Sequence, residues 1–339
     1  MRKLFQRLRR RRGTVLKLAL LMFVLVNGLA FMHARSMTHF GPPGPRPLRP
    51  QEMNLSQKLR TVFFGVTVPR PTNTFTPADK GLAFTTHQLR TRDGVDLEAW
   101  HIAQPNSRGL VICFHGYCNS KASLIREARA LGEAGYETLL VDFRGGGGSA
   151  GNETTIGYRE ADDVAAAFDY AHKSFAAARV VLYGQSMGSA AILRAIAVNG
   201  IKPDAIILEC PYDRMLNTVA NRFTSMGLPS FPLARMLVFW GSVQEGYWAF
   251  SLNPVEYASH VTCPALLIRG CNDPWVRESE AREILDRFQG PRQLVTFDGV
   301  GHEGCFPHHE EKWVREVSSF LDGAVSYDRR DKVAGQDGR

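Results

Sequence analysis

From about residue 82 the chain alternates short apolar runs with segments whose apolar positions recur at helical spacing. The runs at 95–103, 109–116, 137–143, 179–184, 204–210, 263–270 and 292–297 predict strands. Segments 121–135, 160–175, 187–200, 277–288 and 310–324 predict helices between and after them. Several strands, Val180–Tyr183 among them, lack polar residues at alternate positions, as strands do when helices cover both faces. Strand–helix–strand repetition predicts an α/β fold with a doubly wound, mainly parallel sheet. No internal repeat interrupts it. Between Cys210 and residue 263 the rhythm breaks for about 50 residues. Apolar stretches at 214–223, 233–241 and 247–250 fill that gap, which is too long for a plain crossover and predicts a helical cap over about 213–258. Residues 325–339 are polar and are expected to be a disordered tail.

The pattern before residue 82 is different. Residues 1–35 pair a basic block, with five Arg in the six positions 7–12, with the apolar run 14–32, whose only charge is Lys17. The run free of charge, Leu18–Met32, is borderline between a signal core and a membrane span. An uncleaved signal-anchor is favoured over a signal cleaved near Gly28-Leu29-Ala30. The basic block then stays in the cytoplasm and the body is exported, to the periplasm or the cell exterior. Residues 36–81 read as a linker. Five prolines in residues 41–50 make a stiff spacer, and 51–65 predicts a short amphipathic helix with Leu55, Leu59, Val62 and Phe63 on one face and Gly65 as its stop. That helix has two candidate partners, the body and the membrane surface.

Charge adds little beyond this. The formal net charge is +8, yet residues 1–50 hold eleven of the 41 Lys and Arg and none of the 33 acidic residues. The remainder, 30 basic against 33 acidic, gives no footprint for nucleic acid. The six cysteines form no CxxC or Cys/His ladder, so no metal site is expected. Cys113, Cys210 and Cys263 read as small core residues, whereas Cys118 and Cys305 are a pair that an oxidising compartment could join, with free thiols the expectation.

The chemistry concentrates in one pentapeptide, Gly184-Gln-Ser-Met-Gly188, at a strand-to-helix corner. A serine is a weak nucleophile and needs both exposure and a base. An abrupt turn projects Ser186 beyond the carboxyl edge of the sheet, glycines on either side relieve the crowding, and the helix N-terminus favours developing negative charge. Two later strands run into polar turns carrying Asp273, 87 residues on, and His302, 29 residues further. His302 is the candidate base and Asp273 the group that orients it, with Asp298 in reserve. Two N–H donors for an oxyanion are expected from Met187 and from Tyr117 in the loop His115-Gly116-Tyr117, where His115 orients the loop. The glycines 145–148 lack the Lys-Ser/Thr of a phosphate loop, and Arg144, Glu160, Asp162 and Asp163 read as structural ion pairs.

The motifs HGY at 115–117, DFRGGGGSAG at 142–151, GQSMG at 184–188, ND at 272–273 and GHEG at 301–304 resemble, in order and over residues 82–324, the α/β-hydrolase superfamily. The chain resembles most nearly bacterial membrane-anchored hydrolases related to serine aminopeptidase-like and prolyl-oligopeptidase-like domains. That resemblance implies an eight-stranded sheet, a cap after the sixth strand, no metal or organic cofactor, and catalytic roles for Ser186, Asp273 and His302. The expected activity is hydrolysis of a small or lipid-like carboxylic ester. An apolar acyl group is suggested by Phe223, Met226, Phe231, Met236, Leu237, Phe239, Trp240, Tyr247 and Trp248 of the cap. A peptidase, a thioesterase and a membrane-held binding domain are the alternatives, and a peptidase releasing N-terminal residues would need a carboxylate to hold the substrate ammonium.

Overall fold

The computed structural model describes residues 2–45, 48, 53–175 and 179–334. The chain opens with a helix α1 (Arg2–Thr38) and a short helix α2 (Leu55–Phe64). The body then runs β1 (Thr85–Arg90), β2 (Asp96–Ile102), β3 (Leu110–Phe114), α3 (Ile125–Glu133), β4 (Glu137–Val141), α4 (Glu160–Ser174), β5 (Val180–Gln185), α5 (Met187–Arg194) and β6 (Ala205–Glu209). Next come α6 (Met215–Ser225), α7 (Leu233–Glu245), α8 (Pro254–Tyr257), β7 (Ala265–Gly270), α9 (Glu278–Arg287), β8 (Arg292–Phe297) and α10 (Glu310–Ala334).

The strands form one sheet in the order β1-β2-β4-β3-β5-β6-β7-β8. Only β2 runs against its neighbours, β1 and β4, and every other pairing is parallel. The mainly parallel eight-stranded sheet with a cap after β6 is therefore present. β1, sequence TTHQLR, is the strand that the apolar pattern did not predict, because as an edge strand it buries only Leu89.

The central strands explain their unbroken apolar runs. All five residues of β3 are buried, and alternate ones enter different cores. Leu110, Ile112 and Phe114 pack with α4 and α5, whereas Val111 and Cys113 pack with α3 and α10. Each such residue is sealed by a helix layer, and truncating one to alanine costs about 2–5 kcal/mol. α10 continues through residues 325–334, where disorder was expected, and residues 335–339 lie outside the described residues. Much of the proline-rich spacer (46, 47, 49 and 50) also lies outside them.

Two elements stand apart from the cores. α1 leaves the side chains of Val15 to Val24 exposed, then docks its later turns on α7. Trp240 donates to Asn27 Oδ1 at 3.1 Å, Gln244 donates to the Phe31 carbonyl at 2.7 Å, and the Phe31 and Trp240 rings meet edge to face. α2 is held by a capping box between Asn54 and Gln57 and stops at Gly65, φ 77°. It touches α1, where the Val62 carbonyl meets His33 Nε2 at 3.0 Å, and none of its residues is buried.

Candidate active site

The corner between β5 and α5 is sterically forced. Ser186 sits at φ 49°, ψ −106°, outside the wells that L residues favour, at a strain of about 1–3 kcal/mol. A Cβ on Gly184 would stand 2.6 Å from the Gly188 carbonyl carbon, and one on Gly188 would stand 2.5 Å from the Phe114 carbonyl oxygen. Both glycines are therefore required for α5 to fold back against β3. The strain is held by the Ser186 N–H, which donates to the Glu209 carbonyl at 2.7 Å, and by Ser189, whose hydroxyl caps the Gly184 carbonyl.

The loops after β7 and β8 bring Asp273 and His302 to the same edge. Ser186 Oγ lies 2.8 Å from His302 Nε2, and His302 Nδ1 lies 2.6 Å from Asp273 Oδ2. The other Asp273 oxygen accepts from the N–H groups of Trp275 and Val276 at 2.8 and 3.0 Å. Burial acts to raise the Asp273 carboxyl, but the His302 hydrogen bond and charge and those two amides outweigh it, leaving it below its ordinary 3.8. An ionised Asp273 requires the proton on Nδ1, which leaves Nε2 free to accept from the serine. Asp298, the reserve acid, is not in this relay: it receives Cys271 Sγ at 3.3 Å.

Opposite the serine, His115 is buried and its Nε2 accepts from the Phe143 N–H at 3.2 Å, so its Nδ1 donates to the Gly116 carbonyl at 2.8 Å. Burial lowers its pKa and keeps it neutral. It therefore shapes the 115–117 loop, as expected from sequence. Among the described residues, the N–H groups of Tyr117 and Met187 donate to no protein acceptor, and Gly116 brings the loop against Ser186. Two amides flanking a reactive hydroxyl can hold a developing oxyanion.

A buried acid behind the serine, one that no sequence motif singles out, ties the loops together. The Glu209 carboxylate accepts from Tyr183 Oη at 2.7 Å, from Trp313 Nε1 at 3.3 Å, and from the N–H of Cys305, three residues past His302. Nearby, Gln185 donates to Glu127 at 3.3 Å, and burial followed by the charge of Glu209 pushes the Glu127 carboxyl up to about 8.

Other expectations change. Of the cap residues read as lining an acyl pocket, Phe231 and Trp248 are 70% and 59% exposed, and Met226 and Phe239 also face outward. Trp240 is occupied by α1, and Tyr247 stacks on Tyr158 at 4.0 Å. These side chains are turned to solvent, to α1 or to Tyr158 rather than over the serine. Two residues that the sequence offered no signal for stand there instead. Trp275 packs on the His302 ring at 5.0 Å, and the guanidinium of Arg222, from α6, lies 4.4 Å over Trp275. Arg144 pairs with Asp163 and Asp93, a structural ion pair as read. The cysteines are free, so Cys118 and Cys305 are not joined. Cys210, Asp273 and His302 offer ligand atoms within 4.8 Å of one another, but the acid–imidazole hydrogen bond already uses two of them. A cavity of about 380 Å³, between the β1–β2 turn and α4, lies away from this chemistry, and a narrow recess borders Met187, Phe40 and Cys118.

Comparison with known proteins agrees with this fold. A family profile described as "Serine aminopeptidase, S33" matches residues 105–238. The Bacillus subtilis uncharacterized protein YqkD is 25% identical over 232 residues, 68% of this chain and 76% of that protein. The lysophosphatidylserine lipase ABHD12 of Danio rerio is 22% identical over 308 residues, 78% of this chain and 77% of the lipase. Among solved structures, the Pyrococcus furiosus esterase Pf2001 superposes with a TM-score of 0.63 at 25% identity, covering 76% of this chain and 97% of the esterase.

Proposed function

This chain belongs to the α/β-hydrolase superfamily, and on that premise we propose that it is a membrane-tethered serine hydrolase that cleaves carboxylic esters through an acyl-enzyme. The observation that carries the proposal is the unbroken Ser186–His302–Asp273 relay, at 2.8 and 2.6 Å, on a strained corner. In this reading His302 takes the Ser186 proton as Oγ attacks the ester carbonyl. The Tyr117 and Met187 amides hold the oxyanion, each contributing on the order of 10²–10³ in turnover. His302 then gives the proton to the leaving alcohol, and a water activated by the same nitrogen releases the acid. Asp273 holds the tautomer and balances the imidazolium.

Esters are favoured over peptides with a free amino terminus because such peptides need an unengaged carboxylate at the site. Near the serine, Asp273 is committed to His302, Asp213 to Arg214 and Asn217, and Glu280 to Asn221 and the Arg277 N–H. The esterase and lipase names of similar proteins point the same way. Hydrolysis of a p-nitrophenyl ester series, set against aminoacyl anilides and acyl thioesters, tests this reading. Faster turnover of the anilides would replace it with a peptidase, and of the thioesters with a thioesterase.

The tether is α1, whose residues 12–38 are long and apolar enough to cross a bilayer. With the basic block on the cytoplasmic side, the body lies on the exported side. A second feature supports a membrane setting. In the described body, exposed large apolar side chains gather on α2 and the cap, including Leu55, Phe64, Leu228, Phe231, Phe239 and Trp248. Leu48, Phe75 and Val198 are the exceptions. The segregated face adjoins the span through the α1–α7 contact, so it rests against the lipid surface.

A further inference from the structure

Arg222 is a cation without an anion. Its guanidinium lies 4.4 Å over the Trp275 ring and 5.9 Å from the Tyr117 ring. Trp275 packs in turn on His302, and Tyr117 belongs to the loop that faces Ser186. Arg222 therefore hangs from the cap between the acid loop and the amide loop. Its Nε is buried and has no hydrogen-bond partner. Among the described residues no Asp or Glu pairs with it, since the acids around α6 are engaged. Arg214, eight residues earlier, takes both Asp213 and Glu283. Asn221, next in the chain, takes Glu280.

A buried guanidinium N–H without an acceptor is costly, and the two aromatic faces compensate only its charge. Its planar fork is unused, and it suits the oxygens of a phosphate or carboxylate. The leaving alcohol departs beside His302, which protonates it, and Trp275 is the surface that joins His302 to Arg222. We infer that Arg222 is an anion-binding group of the site, and that the substrate is an amphiphilic ester carrying an anionic oxyacid group on its alcohol portion. The inference rests on the ester reading above and adds the substrate's charge. It also opposes an aminopeptidase, whose substrate would bring an ammonium group towards this cation.

The test compares monodecanoylglycerol with monodecanoylglycerol phosphate, following release of decanoate by the full chain in detergent. Wild type is expected to favour the phosphate-bearing ester by about tenfold or more in kcat/KM, the worth of a charge-assisted hydrogen bond. Added salt should shrink that preference. In Arg222→Gln the ratio should collapse towards one, mainly through KM for the anionic ester, and Arg222→Lys should restore part of it. If Arg222→Gln fails to show a cooperative unfolding transition, the wild-type ratio, its salt dependence and Arg222→Lys carry the test. Equal rates on the two esters, or a preference that survives Arg222→Gln, would overturn the inference while leaving the ester reading intact. Hydrolysis of neither ester by wild type would overturn both.

Discussion

The hydroxyl of Tyr117 donates to the carbonyl of Met37 at 2.6 Å, joining the last turn of the N-terminal helix to the loop that faces Ser186. Phe40 follows and meets the Tyr117 ring at 6.3 Å between centroids. α1 is thus continuous with the wall of the candidate site. In the proposed mechanism Tyr117 acts through its backbone N–H, so its hydroxyl is structural. Tyr117→Phe should lower the unfolding midpoint by the loss of about 1 kcal/mol and leave kcat within about threefold. A hundredfold fall in kcat on p-nitrophenyl esters would instead put the hydroxyl in the chemistry.

Asp273→Asn should fold and lose about 10⁴-fold in kcat. An amide in place of the carboxylate donates to Nδ1 and so moves the imidazole proton to Nε2, where it faces Ser186 and blocks proton uptake. Steady-state rates at fixed pH, with the unfolding midpoint as the control for folding, check this.

The buried acid beside Glu209 gives a pH signature of stability. Glu127 is pushed up to about 8 by burial and then by the charge of Glu209, against an ordinary 4.5. Between those values the folded protein holds a proton at Glu127 that the unfolded chain releases. Stability from this group is therefore complete below about pH 4.5 and falls as pH rises towards 8, by about 1.4 kcal/mol per pH unit. Urea unfolding between pH 6 and 8 should show the decline in wild type and a flatter profile in Glu127→Gln. Parallel profiles would mean that Glu127 is ionised throughout.

The apolar face of the cap predicts a contact that anchoring alone does not require. In vesicles containing brominated lipid, the emission of Trp248 should be quenched, because this side chain is 59% exposed on the face that adjoins α1. Trp248→Phe should lower the quenched fraction and leave the part due to Trp240, which packs on α1. Vesicle-bound protein whose quenched fraction Trp248→Phe does not lower would keep the anchor and reject the docked cap, and protein that leaves the vesicles at high salt would reject the anchor itself.

The sheet was legible in the sequence because its central strands are buried on both faces and therefore apolar without interruption. β1 was not, since an edge strand that buries one leucine carries no such pattern. The positions of Ser186, Asp273 and His302 were legible because each follows a strand whose end the apolar run marks. The cap was legible as helices but not as a surface: Phe231 and Trp248 read the same whether they face a pocket or a membrane. Arg222 and Glu209 were invisible for a related reason. Each is defined by partners far away in the chain, Trp275 for one and the Cys305 amide for the other.

An activated nucleophile at Ser186 is tested most directly by fluorophosphonate labelling of the full chain beside Ser186→Ala, read by intact mass and by mapping the modified peptide. A single adduct on Ser186 is expected in the wild type and none in the variant. Folded wild-type protein that takes no label, or takes it equally in Ser186→Ala, would contradict an activated nucleophile at that corner and leave a membrane-held binding domain in its place.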